Sequence, residues 1–325
     1  MKLCLHAPDR RRLDLLRASD DLRLDEAPWA AGLGEVSRLY FGVGFCQHLL
    51  PPAIDCVAAA EWATERGWGF TFVTGYVTDA FLARTMECVD ALVEAGAPDL
   101  EVVVDDWGVL RAVRDRHPEV GLVLGRGLNR QVRDPRVPDV GPEHLGGDEP
   151  PTSWGGSSLG SAAFVALMRR MGVARAEADV PLQGLNAGES GLPTAVHLPY
   201  GMVASGRICM VSAYGKPPST RFVPPLACDA PCRDVTLTLR APWSRRDEGA
   251  EALPVAEGAF IPLTKLLNRR RNALPEPETD PAPRFLQKGN THFYELEGDR
   301  LDAALAWARA EESVDRVVVE VDLPM

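Results

Sequence analysis

Three of the chain's seven cysteines, Cys209, Cys228 and Cys232, fall in one irregular stretch, ICMVSAYGKPPSTRFVPPLACDAPCRD (residues 208–234). The stretch has no apolar periodicity, and its prolines exclude a helix or a central strand. Cys228 and Cys232 form a Cys-x3-Cys pair stiffened by Pro231. A fourth thiol, Cys46, follows SRLYFGVG, where a strand gives way to a turn ahead of Pro51 and Pro52. If these segments leave strands at the same end of a sheet, the four thiols meet there. Four thiolates suit tetrahedral zinc or an iron–sulfur cluster. Structural zinc usually uses two short knuckles, whereas here one pair joins two widely separated partners. That spacing tilts the reading toward a [4Fe–4S] cluster, whose larger core spans ligands further apart. Zinc and unligated thiols stay open on spacing alone. The remaining cysteines read as packing groups: Cys88 shares a helical stripe with Phe81 and Leu92, Cys56 lies in an alanine-rich helix, and Cys4 lies in the first strand.

Other side chains are placed for polar chemistry. Asp105 and Asp106 end the run LEVVVDD, where a carboxylate can move a proton or cap the next helix. Arg126 and Asn129 in GRGLN leave a strand toward the same rim. Arg126 can hold a carboxylate or phosphate bidentately, or simply pair with Asp134 or another acid. The Gly-x-Gly there is too weak to indicate a dinucleotide. His197 and Tyr200 precede Cys209 as donors to a cluster or as packing. A hydrolase would need a Cys–His dyad assembled in space, His48 with Cys46 or His197 with Cys209, because neither His-Glu-x-x-His nor Gly-x-Ser-x-Gly occurs. A thiolate committed to iron is not free as a nucleophile. The NRRRN run (268–272) reads as a solvated face. Trp62, Trp68, Trp107 and Trp307 read as core.

The elements that must position these groups alternate. KLCLH (2–6), SRLYFGVG (37–44), GFTFVTG (69–75), LEVVVDD (100–106) and VGLVLGRG (120–127) read as strands. So do ARAEADVPLQ (174–183), TAVHLPYGMV (194–203), APRFLQ (282–287) and RVVVEVD (316–322). Helices are expected over 52–67, stopping at Gly67; over 78–96, capped by Thr78 and stopped by Gly96; over 105–117; and over 301–312. Apolar strands alternating with helices imply a parallel sheet covered by helices, and about eight repeats close a TIM-like (β/α) barrel. A barrel irregular or incomplete late in the chain is the expected architecture, as one domain over 1–325. It is interrupted by a Pro/Gly-rich insertion near 133–161, by the cysteine loop at 208–234 and by a solvated linker at 275–283.

Composition narrows the function classes. With 46% hydrophobic and 25% charged residues the chain is an ordinary globular one, large enough to fold without cross-links. A net charge of −11 argues against bulk binding of nucleic acid or anionic membrane. The N-terminus lacks the apolar core of a secretory signal, and no apolar run approaches the ~20 residues of a membrane span. The expected location is the cytoplasm, where seven thiols are not a disulfide framework.

At these residues the sequence resembles peptidase family U32, specifically its ubiquinone-biosynthesis branch. The resemblance rests on LYFGVGFC (39–46), VLGRGLNRQVRDPR (123–136), LPYGMVASGRICMVSAYG (198–215) and CDAPCRD (228–234). It implies a barrel-like fold with a [4Fe–4S] cluster on Cys46, Cys209, Cys228 and Cys232. Other branches take a ligand from the strand before the first loop cysteine, where this chain has Met202. The resemblance further implies a part in oxygen-independent hydroxylation, which in the family acts on a quinone precursor ring or on RNA bases; the quinone-precursor kind, a small organic substrate, is the one expected here, alongside a homologous partner subunit. The 133–161 insertion and LRLDEAPWAAGLGEV (22–36) depart from the family's pattern. The alternatives are an accessory subunit whose cluster is structural or passes electrons to a paired homologue, a zinc-stabilised binding module, and the nominal peptidase activity.

Overall fold

The computed structural model describes residues 1–19, 21–134, 154–185, 191–214, 216–225, 227–239, 283–320 and 323–324. Its strands in chain order are β1 (Lys2–Ala7), β2 (Val36–Gly42), β3 (Gly69–Val73), β4 (Glu101–Val104), β5 (Gly121–Leu124), β6 (Val173–Ala178) and β7 (Thr194–Leu198). They continue with β8 (Tyr200–Ser205), β9 (Thr236–Leu239), β10 (Arg284–Lys288), β11 (Thr291–Glu295) and β12 (Val314–Glu320). The helices are α1 (Arg10–Ala18), α2 (Ala53–Glu65), α3 (Asp79–Glu94), α4 (Trp107–Arg116), α5 (Ala162–Arg170), the single turns α6 (Met210–Ala213) and α7 (Pro218–Arg221), and α8 (Gly298–Ala310).

Eight parallel strands close a barrel in the order β1-β12-β7-β6-β5-β4-β3-β2, as a TIM-like architecture requires. The irregularity comes late. The run 194–203, expected as one strand, breaks at Pro199, which has no N–H to continue a ladder. Its first half stays in the barrel as β7. Its second half, β8, joins β11, β10 and β9 in a separate antiparallel sheet. That sheet is inserted between β7 and α8.

Side chains at every second strand position point into the barrel, and the register stacks them in three layers. At the end where strands begin, the layer is ionic. Arg316 Nη1 donates to Glu101 Oε2 at 2.6 Å, Arg38 pairs with Asp99 and Glu101, and Arg175 reaches Asp315 at 2.6 Å. The middle layer is apolar: Cys4, Tyr40, Val73, Val103, Val123, Ala195 and Val318. The layer where strands end is polar again, with His6, Asp105, Glu177, His197 and Glu320 all buried. The outer core lies between barrel and helices, and the small faces Ala59, Ala60 and Ala63 let α2 pack closely there.

Several expectations change in detail. Trp62 and Trp68 are core and stack edge-on at 5.3 Å, but Trp107 is 46% exposed, because it opens α4 on the solvent side. Thr78 precedes α3 without a side-chain cap. The departure at 22–36 forms two short 3-10 turns whose Ala27, Ala30 and Leu33 enter the core. Most of the 133–161 insertion, the NRRRN run and the linker at 275–282 lie outside the described residues. Among the described residues no helix is long and apolar enough to cross a membrane.

Candidate cysteine centre and barrel mouth

Cys46 is delivered by a turn that only glycine can make. Gly42 ends β2 at φ +118°, and a Cβ there would lie 2.4 Å from the Val73 carbonyl oxygen. Its own carbonyl accepts from His6 Nε2 at 2.9 Å. Phe45 then inserts beneath the Arg126 guanidinium, 5.0 Å from its ring centre, and meets Phe293 edge-on at 5.7 Å.

The turn between β10 and β11 ties this segment to the late cysteines. Asn290 Nδ2 donates to Phe45 O at 2.6 Å and to Gly206 O at 2.5 Å, so one amide spans the segments leading to Cys46 and Cys209. Gly289 O accepts from Val211 N at 3.5 Å. Lys288 Nζ donates to Arg233 O at 3.1 Å, beside Cys232. Three consecutive residues thus hold the three chain segments that carry thiols.

The structure brings those thiols together. Cys46, Cys209 and Cys232 share one apolar cluster with Val43, Leu49 and Val211. Cys228 lies close enough for its charge to act on the other three. Burial pushes the Cys46 thiol up to about 11, against the opposing His48 backbone N–H, and Cys209 and Cys228 raise it further. Cys232 is pushed up to about 12 by burial and then by the other three cysteines. Cys209 is raised by burial, although its sulfur accepts from Ser212 N at 3.3 Å. Cys228 Sγ accepts from Ala230 N at 3.4 Å, with Ala230 held in the left-handed region at φ 54°. The raised thiols of Cys46, Cys209 and Cys232 stay protonated near neutral pH unless a nearby cation favours their thiolates.

Among the described residues no three His, Cys, Asp or Glu side chains are grouped to hold a metal ion. Tetrahedral zinc would require sulfurs about 2.3 Å from a single point. The donors gathered in this apolar lining are all thiols, the ligand type that iron–sulfur clusters take. The other cysteines stand apart, as their packing patterns imply. Cys4 is in the barrel's middle layer, and Cys56 and Cys88 adjoin one another between α2 and α3, where Cys88 Sγ donates to Pro51 O at 3.4 Å.

Beneath the thiols the barrel mouth is filled by a buried ionic network. Glu320 accepts from His6 Nδ1 at 2.5 Å and from His197 Nδ1 at 2.7 Å, with Arg126 Nη2 at 3.4 Å. His197 also faces Glu177 Oε2 at 3.3 Å. Arg126 and Arg133 share Asp179, at 3.2 and 2.8 Å. Burial disfavours the Glu320 carboxylate, but His6 and His197 outweigh it and hold the group far below the usual carboxylate range. Burial and Arg126 push His197 down, yet the Glu177 and Glu320 carboxylates prevail and raise it.

The sequence candidates divide accordingly. Asp106 is the cap of α4, accepting from Gly108 N at 2.7 Å, and is occupied by that role. Asp105 is free of the cap and turns into the mouth. It accepts from Gly127 N at 2.5 Å, and a Cβ on Gly125 would lie 2.3 Å from its Oδ1. Burial, then Glu177, raise Asp105 to about 7 against the Gly127 N–H and Arg126. Arg126 is paired with Asp179 and Glu320, so the acids that occupy it are not Asp134. Asn129 donates to Glu177 O at 2.9 Å, and its Oδ1 is buried without a partner. His197 is engaged inside the barrel and not with Cys209, while His48 stacks edge-on against Phe81 at 5.2 Å. Tyr200 is half-buried beside the Phe45–Phe293 group.

Beside Cys46 opens a cavity of about 240 Å³, lined by His48, Tyr76, Phe81, Arg207, Pro224, Pro225 and Asn290 among others. Tyr76 joins it to the mouth: a Cβ on Gly127 would lie 2.8 Å from Tyr76 Oη and 2.9 Å from Asp105 Oδ1.

No protein family, no curated protein and no solved structure matches the chain. The site therefore stands on its own geometry. His6, Glu177, Asp179, Arg133, Glu320 and Asn290 were not singled out from the sequence. Charges at alternate positions of ARAEAD, Arg175, Glu177 and Asp179, are the pattern that marks an inward-facing polar face.

Proposed function

We propose that this protein is an iron–sulfur protein that takes part in oxygen-independent hydroxylation of an organic substrate of the quinone-precursor kind. The observation that carries the reading is the convergence of Cys46, Cys209, Cys228 and Cys232 at the rim where barrel strands end, with the other three cysteines elsewhere. When bound, a [4Fe–4S] cluster would supply electron transfer. The chain's own residues do the rest. The four thiolates would hold the cluster in an apolar lining, and Asn290 and Lys288 fix the segments that bear them. The cavity beside Cys46 is mostly apolar and aromatic, with Arg207 and Asn290 as polar anchors, which suits a ring carrying a polar substituent. Asp105 and Tyr76 stand where a proton could pass between that cavity and the barrel mouth. The resemblance to family U32 points the same way, and it brings a homologous partner subunit and a cytoplasmic setting into the proposal.

Anaerobic purification with iron, sulfide and zinc analysis and an absorption spectrum tests this. About four irons per chain are expected, lost on Cys46→Ala, Cys209→Ala, Cys228→Ala or Cys232→Ala and retained on Cys88→Ala. A single zinc, or iron content indifferent to these substitutions, would overturn it.

A further inference from the structure

The loop that carries the thiols has an outer surface unlike the rest of the molecule. Of the twelve large apolar side chains exposed among the described residues, five lie in the sixteen residues from 208 to 223. Tyr214 is 87% exposed, Phe222 62% and Val223 60%, and Ile208 and Met210 are exposed beside them. Soluble proteins scatter such residues singly, and a concentration of them marks an interaction surface.

Charge singles out the same segment. Residues 191–228 contain no Asp or Glu, in a chain with 46 acids and a net charge of −11. The cations there that reach the surface are Arg207, Lys216 and Arg221. Lys216 Nζ is turned to Ser212 Oγ at 3.1 Å, and Arg221 Nη2 to Lys216 O at 3.0 Å, so neither of these bonds places a carboxylate against them. Exposed aromatic and Met side chains with Arg, in a segment whose own sequence holds no acid ahead of Asp229, have the composition of a protein-docking face. A local cationic patch on an acidic body selects a partner whose contact face is acidic, because the rest of this molecule repels such a partner.

We infer that the exposed side chains of 208–214 and 216–223 form the docking site for an acidic electron-carrier protein of the ferredoxin or flavodoxin class. The inference rests on the proposed iron–sulfur reading, since the buried Cys209 belongs to this same segment. Were the cluster bound by the thiols, docking here would let the reduced carrier give up one electron to it, the carrier being oxidised and the cluster reduced by one electron with no bond made or broken. The alternative occupant, a lipid surface, is disfavoured by the chain's negative charge and by the presence of only three surface cations in the patch.

Calorimetric titration of the full reconstituted chain with an acidic [2Fe–2S] ferredoxin, and separately with a flavodoxin, tests this. Saturable binding to at least one is expected, weakened roughly tenfold or more by raising salt from low to above physiological strength. Lys216→Glu with Arg221→Glu should weaken it by a further factor of about ten, and Tyr214→Ser with Phe222→Ser should do so without changing the salt slope. Iron content and reduction by dithionite should be unchanged in both double variants, which shows that the centre survives. Absence of binding to either carrier, or binding indifferent to both double variants, overturns the docking site. So does patch-dependent sedimentation with phosphatidylglycerol vesicles in place of carrier binding. Wild-type protein that holds no iron would sink the iron–sulfur reading, while the titration of that same protein still decides whether the face binds the carriers.

Discussion

Replacing Glu320 by Gln should be among the most damaging single changes in the barrel. The Glu320 side chain is 0% exposed, with His6 Nδ1 at 2.5 Å, His197 Nδ1 at 2.7 Å and Arg126 Nη2 at 3.4 Å around it. Gln keeps the size but removes the charge, and its amide hydrogens face groups that are themselves donors. Removing one partner of a buried ion pair costs about 3–5 kcal/mol, most of it the penalty of the uncompensated charges left behind. The pH dependence follows from the directions of the two shifts. Glu320 is depressed, so its contribution is present above its ordinary value of 4.5 and is lost as pH falls through the folded value. His197 is raised, so its contribution is present below its ordinary value of 6.5 and is lost as pH rises through the folded value. The gap between wild type and variant should therefore be widest between those two values and narrow on either side. Urea unfolding at mildly acid and at alkaline pH measures it. A loss below about 1 kcal/mol at mildly acid pH, or an equal loss at both, would show that shape and not charge matters at this position.

Three further outcomes are expected. Asp105 is raised from 3.8 to about 7, so its ionisation costs folding stability increasingly as pH rises through that range; Asp105→Asn should melt higher than wild type above pH 7 and show no gain near pH 4, read from thermal unfolding across pH. Asn290→Ala removes the amide that joins Phe45 to Gly206, so iron retained after reconstitution should fall severalfold while the circular dichroism stays native-like. In the iron-free chain, alkylation of Cys46 and Cys232 at pH 8 should be much slower than in the same chain unfolded in urea, because burial raises both thiols, followed residue by residue by mass spectrometry.

The barrel was legible because its strands obey local rules. GFTFV and VVVEV are rich in β-branched and aromatic residues and lie between helices with clear stops, such as Gly67 at φ +68° and Gly96 at φ +65°. The antiparallel sheet was hidden in the run 194–203, whose continuous apolar pattern gives no hint that its two halves belong to different sheets, and β9 and β11 were missed. The thiols could be grouped from their positions at strand ends. What joins them could not, because Asn290 is an unremarkable turn residue until the chain folds back across 245 positions to Phe45. The mouth network was half visible: Asp105, Arg126, Asn129 and His197 drew attention, but Glu177 and Glu320 read as ordinary strand charges. Whether such a charge faces water or the barrel axis depends on closure, which no local window contains.

The hairpin turn at Lys288–Asn290 also imposes an order on biogenesis. Residue 46 leaves the ribosome long before residue 290, and β12, which completes the cylinder, comes later still. Until that last portion has been synthesised, the Asn290 amide that joins the Phe45 and Gly206 segments is missing. If the thiols hold the proposed cluster, its loading would follow translation, and chains truncated ahead of the hairpin should emerge unable to retain iron.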